Sequence, residues 1–108
     1  VRLSRPGYAE WGESKVRGCA PAMYAAMAME LTTRPDRLAD LSGLTVPTRI
    51  LVGEEDRNFL AASKRMADAI GPADLVVIAD AAHSPQFENP DAWWQAVGPW
   101  LAADLLVD

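Results

Sequence analysis

The chain has a single histidine, His83, and an upstream aspartate, Asp56, each placed just beyond a short run of β-forming residues. Thr48-Arg49-Ile50-Leu51-Val52 leads into Gly53-Glu54-Glu55-Asp56, and Leu75-Val76-Val77-Ile78 leads into Ala79-Asp80-Ala81-Ala82-His83. An imidazole serves as a general base when a carboxylate holds one ring nitrogen and fixes the tautomer, leaving the other to take a proton from a hydroxyl. If the two runs lie side by side as parallel strands, both residues emerge at the carboxyl edge, where open parallel sheets bind ligands.

The elements that must position this pair are legible around it. The branched and leucine-rich runs predict strands over about Thr48–Val52 and Asp74–Ile78, the second covered on both faces as in a parallel sheet. Between them, Asn58 is a candidate N-cap for a helix with Phe59, Ala62, Met66 and Ile70 facing inward, and Gly71-Pro72 ends it. Strand, helix, strand in this order makes a right-handed crossover. Upstream, Met23, Tyr24, Met27 and Leu31 predict a helix over Ala20–Thr32 with an apolar face to be covered, and Pro35–Leu41 suggests a short helix stopping near Gly43. Downstream, Asn89-Pro90 opens a helix with Trp93, Val97, Trp100 and Leu101 on one stripe, and Gly98-Pro99 predicts a kink or a division into two. Val1 to Gly18, broken by Pro6, Gly7, Gly12 and Gly18, reads as a loop or flexible arm made locally basic by Arg2, Arg5, Lys15 and Arg17.

Composition narrows the function. Half of the 108 residues are hydrophobic and 23% are charged, as a folded core requires. A net charge of −5 with no basic run argues against nucleic acid as a partner. Apolar stretches too short for a membrane span, no signal-peptide pattern and the lone Cys19 together suggest a cytoplasmic protein. The acidic turn after the first strand has no glycine-rich phosphate cradle, so a nucleotide-binding crossover is disfavoured. Glu54, Glu55 and Asp56 read as a solvated turn rather than a metal site, because they lack regular ligand spacing.

The segments Val46–Asp56 and Leu75–Pro85 resemble the last two strand-and-loop units of the α/β-hydrolase family, with the helix before them similar to the end of a mobile cap. The resemblance spans about Leu41–Leu101 and divides the chain into an arm (residues 1–18), a helical cap-like segment (residues 19–45) and the C-terminal part of a hydrolase core (residues 46–108). It implies an α/β fold: two parallel strands in a βαβ unit flanked by helices, a partial hydrolase sheet. It also makes Asp56 the triad acid and His83 the triad base, in the order in which those members follow the serine. The activity implied is serine-dependent hydrolysis of a small ester, amide or related substrate, with no cofactor and no metal.

Two features depart from that pattern. Ala82 stands where relatives commonly have glycine before the histidine, so the loop must avoid a backbone angle that glycine alone accepts easily. More seriously, the chain has no Gly-x-Ser-x-Gly elbow, and Ser4, Ser14, Ser42, Ser63 and Ser84 have none of its context. Ser84 adjoins His83 but points away on an extended loop, Ser63 falls within a helix, and Cys19 is not on a strand-to-helix turn. The expectation is therefore a C-terminal portion of a longer enzyme, inactive alone. The rival is a degenerate, non-catalytic module that self-associates or binds a partner through unpaired strand edges. A surface role for His83, and either a pocket or core packing for Met23, Met27 and Met29, remain open, while Trp93, Trp94 and Trp100 are expected to pack.

Overall fold

Branched residues set the centre of the molecule. In a computed structural model that describes residues 5–104, the order is α1 (Tyr8–Arg17), α2 (Pro21–Thr33), a 3₁₀ helix (Leu38–Gly43), β1 (Thr48–Gly53), α3 (Leu60–Ala69), β2 (Ala73–Ile78), α4 (Pro85–Glu88) and α5 (Pro90–Asp104). Arg2 and Ser4 lie outside the described residues. β1 and β2 pair in parallel, in register from Thr48 opposite Ala73 to Gly53 opposite Ile78. The α/β architecture of two parallel strands joined through a helix is thus present, consistent with a partial α/β-hydrolase sheet. Among the described residues the sheet has only these two strands.

The core is concentrated at the carboxyl ends of the strands. Val52, Ile70, Ile78, Ala81 and Ala82 are buried, and so are the polar Ser84 and Glu88. β2 is not covered on both faces as its composition suggests, because Val77 is half exposed. A hydrophobic run reports what a strand can bury, not whether a neighbour is there to bury it.

At the opposite end of the ladder, Arg49 and Asp74 are register partners. Arg49 Nε donates to Asp74 Oδ1 at 3.0 Å, and its Nη1 donates to the Ala96 carbonyl of α5 at 2.7 Å. One guanidinium therefore ties both strands to the last helix. Its hydrogen bond, helped by its charge, holds the Asp74 carboxyl below the usual aspartate range against an opposing cost of desolvation. A carboxyl depressed in the folded state adds stability above its unfolded pKa and loses it as pH falls through the folded value. The urea midpoint should therefore drop as pH falls below about 4, and Asp74→Asn should flatten that part of the profile. An unchanged acid profile in the variant would show the pair to be thermodynamically silent. Half of the Asp74 side chain is exposed, so the slope will be shallow.

The helices bring several corrections. Residues Tyr8–Arg17, expected in a loop, form α1. Gly7, with φ of 80°, and Gly18 bound this helix, so glycines that read as loop punctuation are its two ends. Glu13 pairs with Arg17 one turn on, Lys15 sits 3.6 Å from the Trp11 ring centre, and Trp11 stacks on Phe87 of α4 at 4.7 Å. α2 forms as its composition predicts but buries no residue, and Met23, Met27 and Met29 are all more than half exposed, so they do not pack in a core. α3 starts at Leu60, not after an Asn58 cap: the backbone carbonyl of Asp56 accepts the N–H groups of Phe59 and Leu60 instead. Phe59 and Met66, expected inside, remain substantially exposed.

In α5 the Asn89 cap is present, its Oδ1 accepting the Ala92 N–H at 3.3 Å. Pro99 does not divide the helix, which runs on to Asp104 as one element. Proline removes a single N–H, and the surrounding bonds can carry the helix across that gap. Trp94 is largely exposed rather than packed, whereas Trp93 and Trp100 are half-buried. No described helix is long and apolar enough to cross a membrane.

Candidate active site

Asp56 and His83 meet across the carboxyl edge of the strand pair. His83 Nδ1 lies 2.8 Å from Asp56 Oδ2, a hydrogen bond between residues 27 positions apart. The acid is sheltered, its side chain 12% exposed, while the imidazole is 73% exposed. A carboxylate on Nδ1 selects the tautomer with the proton there, leaving Nε2 as the acceptor. The ring packs 4.8 Å from the ring of Phe59, the residue just before α3.

Local backbone geometry explains why Asp56 is fixed. As β1 ends, the Glu54 N–H donates to the Ile78 carbonyl and the Glu55 N–H to the Ala81 carbonyl, sewing the acid turn to the histidine loop. The Asp56 N–H then donates back to Gly53, and its carbonyl receives the first N–H groups of the α3 turn. Asp56 is thus held from both sides by main-chain bonds. The three acidic residues diverge in their roles: Glu54 accepts the Asp80 N–H at 3.3 Å, Asp56 accepts from the imidazole, and Glu55 is exposed.

Gly53 permits the two loops to approach this closely. A Cβ built there would lie 2.6 Å from the Ala81 carbonyl carbon and closer still to the Ala82 carbonyl oxygen. The histidine loop itself turns at Asp80, whose φ of 50° makes it the described non-glycine residue in the left-handed region. Ala82 therefore needs no glycine-like angle, and the substitution before His83 is accommodated. Arg5 Nη2 reaches Asp80 at 3.6 Å, and Asn89 Nδ2 donates to the Ala79 carbonyl at 2.9 Å.

Two residues that sequence reasoning did not single out prove central to this loop. In the sequence Gly53 reads only as the start of the acid turn, and Glu88 carries no assigned role. Glu88 is fully buried, and its Oε2 accepts the N–H groups of Ala82 and, at 3.2 Å, Ser84. Ser84-Pro85 marks the start of a helix, with proline at its first position, but the capping-acid position falls on Phe87, one residue before Glu88.

The candidate nucleophiles do not join the pair. Ser84 is buried as the residue before α4, where its carbonyl receives the Phe87 and Glu88 N–H groups. Ser63, in the first turn of α3, lines a small cavity with Asp56, Phe59 and His83, but no hydrogen bond joins its hydroxyl to the imidazole. Cys19 stands apart between α1 and α2. A broader cleft beside Asp56 and His83 is lined by Glu55, Arg57, Asn58 and Ala82.

A parallel strand pair thus carries an aspartate and a histidine hydrogen-bonded to each other beyond its carboxyl edge. A sequence model of the alpha/beta hydrolase family matches residues 2–96, and the chain belongs to that family. Searches of curated proteins and of solved structures returned no match.

Proposed function

We propose that this chain supplies the acid and base of a serine-dependent hydrolase whose nucleophile lies outside these 108 residues. The observation that carries the reading is the 2.8 Å bond from Asp56 to His83 Nδ1, with the imidazole's outer side open. Asp56 orients the ring and stabilises the imidazolium, and His83 takes the proton from a serine hydroxyl and returns it to the leaving group. Backbone N–H donors for the oxyanion arrive with the nucleophile's elbow, as part of the same missing segment. The substrates are small esters, amides or related acyl compounds, and the chain is the C-terminal portion of the complete enzyme.

The chain alone should therefore take no stoichiometric label from a serine-directed phosphonate and should hydrolyse a p-nitrophenyl ester only at background rate. Intact-mass detection of one labelled serine would overturn the claim that the nucleophile lies elsewhere. The coding sequence upstream of Val1 separates this reading from a stand-alone interaction module: an in-frame Gly-x-Ser-x-Gly segment supports the hydrolase portion, and a stop codon there supports the module.

A further inference from the structure

We propose that Glu88 is the positioning residue of His83, a role that rests on the acid–base reading of the Asp56–His83 pair. His83 has little packing of its own, since most of its side chain is exposed and, among the described residues, it makes one side-chain hydrogen bond and one aromatic contact. Where its imidazole points is therefore decided by its backbone. The peptide N–H groups on either side of it, those of Ala82 and Ser84, both donate to Oε2 of Glu88. A single oxygen that accepts the N–H before and the N–H after a residue fixes the chain on both flanks of that residue.

The arrangement closes on itself. The Glu88 N–H donates to the Ser84 carbonyl at 2.9 Å while the Ser84 N–H returns to the Glu88 side chain. This reciprocal pair locks α4 onto the histidine loop one turn behind the ring. Placing a carboxyl group where no solvent reaches it is costly unless such bonds offset the burial. The neighbouring Asn89 holds Ala79 at the start of the same loop, so the loop is gripped from α4 and from the head of α5. Asp56 determines which tautomer the imidazole adopts, and Glu88 determines that the imidazole is within reach of Asp56.

The test uses the whole chain, and its sole histidine makes the imidazole signals unambiguous in ¹⁵N and ¹H spectra. In Glu88→Ala, amide hydrogen exchange at Ala82 and Ser84 should accelerate by roughly tenfold or more, as expected when a buried hydrogen bond is lost. The imidazole ¹⁵N shifts should move from one fixed tautomer to an exchanging mixture. Amides in the β1–β2 ladder should keep their protection. Glu88→Gln, which retains a carbonyl oxygen, should restore part of both effects and serves as the test should the alanine variant not fold. Unchanged imidazole shifts in both variants, or protection lost equally throughout the ladder, would overturn the proposal and leave Glu88 a general structural residue. Asp56→Asn read by the same spectra keeps the two ideas apart: if it leaves the tautomer unchanged, the acid–base reading fails whatever Glu88 does.

Discussion

In the proposed enzyme, with a serine nucleophile supplied from outside this chain, His83→Ala should lower kcat by roughly 10⁵-fold and Asp56→Asn by roughly 10⁴-fold. The order follows from the geometry. Removing the imidazole deletes the proposed proton acceptor, whereas asparagine keeps a group of the same shape beside Nδ1. Its amide can present an N–H to the ring, favouring the tautomer that leaves Nε2 unable to accept a proton. The measurement is kcat on a p-nitrophenyl ester, with circular dichroism to show that each variant stays folded. KM should change far less than kcat, because neither side chain is assigned to binding the substrate's bulk. If Asp56→Asn leaves kcat unchanged, Asp56 is not the acid. If His83→Ala leaves it unchanged, the hydrolytic reading is lost altogether.

The second large effect is on folding. Gly53→Ala should destabilise the chain by about 3 kcal/mol or more, because the added methyl meets two backbone carbonyl groups rather than a side chain that can swing aside. Relief requires the Ala81–Ala82 segment to move away from β1. That movement breaks the Glu55 N–H bond to the Ala81 carbonyl and separates the turn bearing Asp56 from the loop bearing His83. A urea titration measures the loss, and the imidazole signals report whether the pair separates in whatever remains folded. Wild-type stability in the variant would mean that the two loops lie farther apart than described. Gly71→Ala is the control, since a Cβ there meets nothing.

What could be read from the sequence was governed by how local each cause is. The strands, their order and the meeting of Asp56 with His83 follow from branched runs that end in short turns, information carried within a few residues. α1 was missed because Gly7 and Gly18 signal a break in either reading, and what favours the helix is a contact with Phe87 far along the chain. The stripes on α2 and α5 read as apolar, yet Met27 and Leu101 on them are exposed, since periodicity says which face seeks a partner without supplying one. Pro99 does not divide α5 in two, because one lost N–H need not end a helix. Glu88 escaped for the opposite reason. An acid on a short helix is ordinarily solvated, and only the folded loop shows its oxygen closed over by two peptide groups.

The strand ladder also bears on how the site comes into being. Its register partners Arg49 and Asp74 are 25 residues apart, and the acid and base above them are 27 apart. Closing a loop of that size costs only about 0.6 kcal/mol more than closing one half as long. One crossover is enough to bring Asp56 to His83, without waiting for distant chain. The Asp56–His83 pair is thus a local product of the polypeptide, and in the proposed enzyme only the nucleophile has to be brought to it from outside.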